Sequence, residues 1–394
     1  MKGTPIVALC GFLGSGKTTH LRRWKEEASL KDAALIVHDL SELGVDAELL
    51  AKDEKAQVAG SLVDRVAALH GVHSNQELHS SLKNALDDIH RLTPAAPLVL
   101  AESTGAARPW PLIKALTQNP RFYLRHFIVT VDGLNLHRDF ADGQDLLTWK
   151  TLPHHSPLTK AAQILAEQLS FANVILLTKV DTIPQATVNQ QVALLQQLCP
   201  QAVVGLSSQG GITLPQLDHI PAPDLLALSQ KAQELNATQQ NAVNTEVEAI
   251  QFRSKRPFHP QRLHDICQSH LGLGLYRTKG FLWLVSRPAH ALLWQQSGSQ
   301  ISLELRGLWR AELVKNPDGS LLPEEIDALK NQLKNEDAKF GDRHNELTII
   351  GLERDCTAFY NALESALCTD EEVEHWLNGD AFADPWPKTI RRIS

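Results

Sequence analysis

The segment GFLGSGKTT at residues 11–19 constrains the fold of this chain more than any other feature. It follows the apolar run 6–10 and leads into a helical pattern at 21–24. Glycines at this spacing let backbone N–H groups curl around a polyphosphate, which also lies at the positive end of the following helix. A glycine-rich turn is the alternative interpretation, but the flanking strand and helix patterns favour a phosphate-binding P-loop.

The side chains of this loop have defined chemical roles if a nucleotide binds there. Lys17 would reach the β- and γ-phosphates, and the Thr18 hydroxyl would hold Mg²⁺. The loop therefore predicts nucleotide binding by Gly11, Gly14, Ser15, Gly16, Lys17, Thr18 and Thr19.

Length and composition describe a globular protein with room for two domains. The chain has 394 residues, of which 43% are hydrophobic, and it contains no run of about 18 or more apolar residues. The predicted P-loop strand begins close to the N-terminus and leaves no room for a signal peptide, so we expect a cytoplasmic protein without a membrane partner. The net charge of −7 argues against a nucleic-acid partner. The five dispersed cysteines suggest neither a disulfide framework nor a CxxC site.

The first half of the chain alternates strand and helix patterns. A helical pattern at 158–169 and a mostly helical segment at 61–91, interrupted near Gly71, separate short apolar runs. Those runs predict buried parallel strands at 33–37, 97–101, 127–132, 173–178 and 202–206. The alternation indicates an α/β fold with a doubly wound parallel sheet, whose ligands bind at the carboxyl ends of the strands.

The second half predicts a smaller α+β domain. Its patterns follow the order β-α-β-β-α-β from residue 247 to 352, which is the ferredoxin-like, split βαβ arrangement. A stretch rich in Gln, Ala and Asn precedes it. We therefore expect a P-loop domain at 1–222, a linker at 223–245 and a C-terminal domain at 246–394.

The strand at 173–178 runs into Thr178-Lys179-Val180-Asp181, which is close to the NKxD element that reads guanine. Asp181 could accept two hydrogen bonds from the N1 and N2 donors of guanine, and adenine offers no such pair. Thr178 replaces the usual Asn, and a surface Lys-Val-Asp turn is the alternative. Because the element is in register with the P-loop, we expect Thr178, Lys179 and Asp181 to bind guanine.

With these motifs the sequence resembles the CobW-like, SIMIBI-class P-loop GTPases, a family of metallochaperones. Further matches lie along almost the whole chain: SELGVDAELL at 41–50, ESTGAARP at 102–109, QLSFANVILLTKVD at 168–181, RPFHPQRLHDI at 256–266, YRTKGFLWLVSRP at 276–288, GDRHNELTIIGL at 341–352 and FADPWP at 382–387. The resemblance implies GTP and GDP as ligands, Mg²⁺ as cofactor and the family's C-terminal domain.

The resemblance also implies individual roles. Glu102 matches the Walker B acid, Glu42 and Asp46 match acidic switch positions, and the N–H group of Gly105 would donate to the γ-phosphate. Mg²⁺ would be held by Thr18, Glu42 and Glu102. Lys17 and Glu102 are the expected catalytic residues, in a reaction where water attacks the γ-phosphorus. Turnover is expected to be slow without a partner protein.

One departure from the family concerns its Cys-x-Cys-Cys motif, which supplies thiolate ligands for Zn²⁺. The corresponding residues 58–66 contain no cysteine, so metal transfer through the usual ligands is in doubt. His70 and His73 could share a transition metal such as Zn²⁺ on one helix face. Solvated histidines on a polar helix are the alternative interpretation.

The sequence therefore predicts a GTPase that acts as a nucleotide-dependent metallochaperone or as a maturation or regulatory factor for a client metalloprotein. Association into a homo-oligomer is compatible with this prediction. Two alternatives stay open: a nucleotide-dependent scaffold with negligible hydrolysis, and a P-loop kinase that transfers the phosphate to a second substrate.

Overall fold

In a computed structural model, the chain folds into two compact units, Met1–Thr245 and Glu246–Ser394. The residues that it describes are 3–27, 30–39, 66–70, 75–92, 95–148, 157–209, 211–239, 247–272, 274–316, 322–334, 336–337, 339–387 and 391–392.

The first unit alternates strands and helices along the chain. Its elements are β1 (Thr4–Gly11), α1 (Lys17–Glu26), β2 (Ala34–Asp39), β3 (Val66–His70), α2 (Asn75–His90), β4 (Val99–Glu102), α3 (Pro109–Thr117), β5 (Phe122–Asp132), α4 (Gly133–Asp139), α5 (Gln144–Thr148), α6 (Pro157–Ser170), β6 (Val174–Thr178), α7 (Gln185–Leu198), β7 (Val203–Ser207) and α8 (Leu225–Gln239). Short 3-10 turns lie at Ala141–Gly143, Val180–Thr182 and Leu214–Leu217.

The strands of the first unit form one parallel sheet of seven strands in the order β3-β2-β4-β1-β5-β6-β7. Strands β4 and β6 are buried along their whole length, which explains why their sequences are continuous apolar runs. The predicted α/β sheet with a second, smaller α+β unit is confirmed.

The strand order positions the site. From β1 the chain moves through α1 to β2 on one side of β1, and from β4 it later moves to β5 on the other side. The carboxyl ends of β1, β4 and β5 therefore lie at a topological switch point, where open α/β sheets form their ligand crevice. The glycine-rich segment begins where β1 ends.

The helical prediction for 61–91 is wrong at residues 66–70, because these residues form strand β3. This strand pairs in parallel with β2, from Val66 opposite Leu35 to His70 opposite Asp39. A short apolar run fits a helix or a buried strand by pattern alone, and here the backbone pairing with β2 selects the strand. The helical prediction holds for α2.

The segment 223–245, predicted to be a linker, contains helix α8, and Ala232 of this helix is buried.

None of the helices in the described part of the chain combines the length and apolarity that crossing a bilayer demands.

The second unit is an α+β domain. Its elements are β8 (Val247–Ser254), α9 (Pro260–His270), β9 (Leu275–Leu282), β10 (His290–Ser297), β11 (Gln300–Leu308), α10 (Arg310–Lys315), α11 (Pro323–Leu333), β12 (Asn345–Leu352), α12 (Glu353–Ala366), α13 (Asp370–Leu377) and β13 (Arg391–Arg392). The sheet order is β13-β11-β10-β9-β12-β8.

The split βαβ of the prediction is present, since β8 and β9 are joined by α9 and β12 pairs antiparallel with both. Strand β11 is an addition that the sequence analysis missed. It follows β10 through a hairpin at Gly298, whose φ of 55° lies in the left-handed region. The core includes Phe252, Trp294 and Phe359, and Trp386 of the C-terminal tail joins it.

A bidentate ion pair ties α9 to α13 in this unit. The guanidinium of Arg262 donates from Nη1 and Nη2 to the two carboxylate oxygens of Glu372, each at 2.7 Å. Glu372 also accepts from the backbone N–H of Thr369 at 2.8 Å. The hydrogen bonds from Arg262 are the main cause that lowers the pKa of Glu372 to about 2.

We expect Glu372→Gln to lower the free energy of unfolding at pH 7 by about 1–2 kcal/mol, because Gln cannot form the charge-assisted pair and partial exposure limits its strength. A depressed carboxyl pKa stabilises the fold above the ordinary value of 4.5 and loses this effect as the pH falls towards about 2. Urea unfolding at pH 7 and pH 3.5 should therefore show a smaller difference in the free energy of unfolding between wild type and Glu372→Gln at pH 3.5.

The control is Asp88→Asn, which removes the pair of Asp88 with Arg91, whose side chains are 49% and 75% exposed. It should change the free energy of unfolding little at either pH. An equal loss of stability in Glu372→Gln at both pH values would contradict the linkage to Glu372 ionisation.

Candidate functional site

The glycine-rich loop at 11–16 is shaped by the strand beside it. Gly14 and Gly16 have φ values of 78° and 92°, in the region that favours glycine. A Cβ atom at Gly11 would lie 2.3 Å from the carbonyl oxygen of Thr130 on β5. The pairing of β1 with β5 therefore requires glycine where the loop begins.

Lys17, the first residue of α1, is buried and bound to the loop itself. Its Nζ donates to the carbonyl oxygens of Gly11 at 2.8 Å and of Phe12 at 3.2 Å. An ammonium group and the N-terminus of α1 thus lie together at the loop. Both favour an anion, as the P-loop prediction requires.

A hydroxyl and a carboxylate meet next to Lys17. The Thr18 hydroxyl donates to Oε1 of Glu102 at 2.8 Å. Glu102 is the last residue of β4, opposite Leu9 of β1, and its side chain is buried. Hydroxyl and carboxylate oxygens are the ligands that Mg²⁺ prefers, so this pair fits the predicted magnesium site.

Two further strand ends are hydrogen-bonded to the loop. Ser15 Oγ lies 2.6 Å from Thr130 Oγ1 at the end of β5, and Thr178 Oγ1 at the end of β6 donates to the Ser15 carbonyl at 2.9 Å. Thr178, predicted to bind the base, therefore supports the loop.

The segment after β6 is held by an ion pair. Lys179 has a φ of 55°, and its ammonium group forms a short contact with Asp132 at the end of β5. Asp132 also accepts from the backbone N–H groups of Leu134 and Asn135, which caps α4. Asp181 follows in a 3-10 turn with its side chain exposed. The predicted guanine-binding carboxylate is thus accessible.

His20 is a site residue that the sequence analysis missed. Its Nδ1 lies 3.0 Å from the Gly16 carbonyl and its Nε2 lies 2.9 Å from the Ser207 hydroxyl. Burial lowers the pKa of His20, so the ring is neutral at pH 7. A carbonyl accepts only, which assigns the proton to Nδ1 and makes Nε2 the acceptor from Ser207. The contact spans most of the domain sequence, and no local pattern indicates it.

The loop after β4 packs tightly on the glycine-rich loop. Ser103 N–H donates to the Leu9 carbonyl at 3.0 Å. A Cβ atom at Gly105 would lie 2.4 Å from Cγ and 2.6 Å from the backbone N of Leu13. Only glycine fits at this contact without a shift of one of the two loops.

The predicted transition-metal pair is not assembled in the described residues. His70 ends strand β3 and so does not lie on a helix, while His73, Glu42 and Asp46 fall outside the described residues. Nowhere in the described ranges do three His, Cys, Asp or Glu side chains form a group that could hold a metal ion.

The five cysteines, Cys10, Cys199, Cys267, Cys356 and Cys368, are free and buried. Burial raises the pKa of the Cys199 thiol to about 11 and that of the Cys267 thiol to about 12. Such thiols stay protonated at pH 7 and are poor metal ligands.

Comparison with known proteins gives consistent matches over both units. A family profile described as "CobW/HypB/UreG, nucleotide-binding domain" matches residues 5–204, and the "Cobalamin synthesis protein cobW C-terminal domain" matches residues 247–367.

Among curated proteins, the chain is 25% identical to Zinc-regulated GTPase metalloprotein activator 1 of Dictyostelium discoideum, over 94% of this chain and 81% of that protein. It is 24% identical to Zinc chaperone CobW of Pseudomonas aeruginosa, over 84% of this chain and 90% of that protein. Among solved structures, Zn(II)-bound YjiA GTPase from Escherichia coli aligns with 18% identity and a TM-score of 0.37, over 93% of this chain and 100% of that one.

The packing at Gly105 leads to a stability prediction. We expect Gly105→Ala to lower the free energy of unfolding by about 1–3 kcal/mol, because the added methyl group overlaps Leu13 and one of the two loops must move. Thermal unfolding of the purified variant measures this loss.

Gly272→Ala is the matched control, since a Cβ at Gly272 would meet nothing within 4 Å. It should leave the melting temperature unchanged or slightly raised. Equal melting temperatures of the two variants would show that the loops are not packed as described.

Proposed function

The chain belongs to the CobW/HypB/UreG family, and from that membership we propose that it binds and hydrolyses GTP and acts on metal ions or metalloproteins as a nucleotide-dependent factor. The observation that carries the proposal is the Thr18–Glu102 contact beside the glycine-rich loop. The contact brings a hydroxyl and a carboxylate oxygen, the ligands that Mg²⁺ prefers, next to a loop suited to bind phosphate. Nucleotide hydrolysis uses this combination.

The phosphates would bind to the loop at Gly11, Gly14, Ser15, Gly16, Lys17, Thr18 and Thr19. Lys17 already lies at the loop, held by two of its carbonyl oxygens. A γ-phosphate would compete for that ammonium group, and the charge-assisted bond that it offers is stronger than a bond to a neutral carbonyl.

Thr18 and Glu102 would hold Mg²⁺, with Glu42 as a further candidate ligand. The ion would supply positive charge at the phosphates. Thr18 would offer an oxygen lone pair to the ion while its hydroxyl proton stays available to Glu102, and the Glu102 carboxylate would supply negative charge beside the ion.

Hydrolysis would proceed by attack of water on the γ-phosphorus, with GDP as leaving group. Lys17 and the N–H groups of the loop would stabilise the charge that develops on the phosphate oxygens. Turnover without a partner is expected to be slow, on the order of 10⁻⁴–10⁻³ s⁻¹, as in unassisted Ras-type GTPases.

Guanine would be read by Asp181, with Lys179 and Thr178 in supporting roles. The ion pair between Lys179 and Asp132 fixes the start of the segment that carries Asp181. The exposed carboxylate of Asp181 could accept hydrogen bonds from N1 and N2 of guanine without a large rearrangement.

Metal handling by this chain is proposed because its relatives include proteins named zinc chaperones and a zinc-regulated activator. The metal ion would be cargo for a client metalloprotein. The buried cysteines do not suit this task. Zn²⁺ would have to bind imidazole or carboxylate groups, with His70 and His73 as candidates.

Family membership favours this proposal over a P-loop kinase. The scaffold hypothesis differs from it only in turnover, so phosphate release distinguishes the two.

The test of the proposal is phosphate release from GTP by the full chain with Mg²⁺, in the absence and presence of Zn²⁺. We expect slow turnover above background, and a fall of about 10²-fold or more in Glu102→Gln, which loses one carboxylate charge at the magnesium site. GDP affinity, measured by calorimetry, should change much less.

Turnover at background under every metal condition would reject hydrolysis and favour the scaffold. Stronger binding of ATP than of GTP would reject the assignment of guanine and support the kinase.

Asp181→Asn provides a separate test of base recognition. We expect the affinity for GDP to fall by about 10²-fold, because Asn can accept only one of the two guanine hydrogen bonds. The affinity for xanthosine diphosphate should rise, since the Asn amide can donate to the carbonyl of xanthine.

Asp327→Asn is the matched control, because Asp327 is an exposed aspartate of the second unit that pairs with Lys330 in α11. It should leave both affinities unchanged. An equal loss of affinity for GDP and for xanthosine diphosphate in Asp181→Asn would show that Asp181 does not recognise the base.

A further inference from the structure

Two completely buried glutamines hold the two loops that flank the nucleotide site. Gln168 on α6 and Gln191 on α7 each have 0% exposure. We propose that they are positioning residues, with Gln168 setting the loop that detects the γ-phosphate and Gln191 setting the segment that holds the base. The inference rests on the proposed function and deepens it, since it assigns a structural cause to GTP–GDP discrimination.

Gln168 bridges two carbonyl groups of the loop after β4. Its Nε2 donates to the Gly105 carbonyl at 3.0 Å and to the Ala107 carbonyl at 3.1 Å. Because carbonyl oxygens only accept, the orientation of this amide is fixed. Both protons of one side-chain amino group are thus used to hold a single loop.

The same loop is confined on its other side by the glycine-rich loop. Gly105 packs against Leu13 with no room for a Cβ atom. Gly105 is therefore held by Gln168 at its carbonyl group and confined by Leu13 at its Cα. A small movement of α6 would displace this carbonyl and, through rotation about the Gly105 backbone, the N–H group on the preceding peptide.

Two more contacts join the end of α6 to the residues that follow this loop. Arg108 donates to Glu167 at 3.0 Å, and the rings of Trp110 and Phe171 are stacked with centroids 6.4 Å apart. The loop and the start of α3 are thus fastened to α6 at successive positions.

Gln191 performs the corresponding task on the base side. Its Nε2 donates to the Gly133 carbonyl at 3.0 Å. Gly133 follows Asp132, which forms the ion pair with Lys179. A Cβ atom at Gly133 would lie 3.1 Å from the Thr178 carbonyl, so this turn packs against the end of β6.

Each of the two glutamine amides binds backbone carbonyls through Nε2 and leaves Oε1 as a buried polar atom. The Oε1 atoms of Gln168 and Gln191 are buried and accept no hydrogen bond from the described residues. A buried polar atom without a partner costs free energy, and an apolar side chain of the same shape would avoid that cost at Oε1. What the amide adds is a fixed position for the carbonyls that it binds.

The two glutamines should have different effects on nucleotides. The γ-phosphate is present in GTP and absent from GDP, so a change in the Gly105 loop alters the affinity for GTP alone. Guanine is present in both, so a change near Asp132 and Lys179 alters both affinities by the same factor.

The test uses the full chain and three methionine variants that keep side-chain length. Gln168→Met and Gln191→Met remove the two amides. Gln296→Met is the control, because Gln296 is also buried and its Nε2 donates to the Leu275 and Gly298 carbonyls of the second unit. Fluorescent GDP and a fluorescent, non-hydrolysable GTP analogue measure the affinities in the presence of Mg²⁺.

We expect Gln168→Met to lower the ratio of GTP-analogue affinity to GDP affinity by about tenfold. The variant loses the hydrogen bonds between neutral groups that hold the Gly105 loop, and a loss of this size corresponds to about one order of magnitude in binding. Gln191→Met should lower both affinities and keep their ratio, and Gln296→Met should change neither. An unchanged ratio in Gln168→Met, or an equal change of ratio in both variants, would overturn the inference.

Hydrogen exchange on the wild-type chain gives a second measurement that needs no variant. The amides of residues 104–108 and of the end of α6 should gain protection together with the GTP analogue and not with GDP. Protection confined to the glycine-rich loop would overturn the coupling to α6. A wild-type chain that binds no guanine nucleotide would reject the proposed function itself, whereas normal discrimination in Gln168→Met rejects only the role of Gln168.

Discussion

Parallel pairing of β1 with both β4 and β5 is the constraint on which the rest of the site depends. The register brings Leu9 opposite Glu102 and Gly11 opposite Thr130. The first pairing sets the carboxylate beside the Thr18 hydroxyl, and the second leaves no space for a side chain where the loop begins. Because the strands are buried and hydrogen-bonded on both edges, the backbone pairing itself sets this geometry. The cost of organising the start of the loop is therefore included in folding.

The same preorganisation extends outward through polar groups that the protein satisfies internally. His20, neutral because it is buried, uses both ring nitrogens to connect the phosphate loop with the end of β7. Asp132 serves a helix N-terminus and Lys179 at once. The ends of β5 and β7 thus carry polar residues, Asp132 and Ser207, that fix neighbouring parts of the site. Under the proposal for Gln168, a change of ligand at the phosphates would be transmitted to α6 through the hydrogen bonds to the Gly105 and Ala107 carbonyls.

The sequence was informative where a local pattern has a single physical meaning. Glycine spacing followed by Lys17 and Thr18 specifies a loop between a strand and a helix, and continuous apolar runs specify buried parallel strands. It failed where pairing between distant segments decides, as for β3, whose short apolar run reads equally well as helix. The contacts of His20 with Ser207 and of Gln168 with Gly105 join residues 187 and 63 positions apart. No periodicity encodes such contacts, so only the fold reveals them.

The chemistry of the cysteines limits how this chain can handle a metal ion. All five thiols are buried, and burial raises their pKa, so the soft thiolate ligands that favour Zn²⁺ would not come from them. A site built from imidazole and carboxylate groups binds divalent ions in the Irving–Williams order and discriminates among them mainly by geometry. Selectivity for one metal would then depend on when the ligands are brought together. In the proposed function, a nucleotide that ordered the loops around Glu102 and Gly105 would control that moment, and it would link the phosphate site to metal handling without ligands from the buried cysteines.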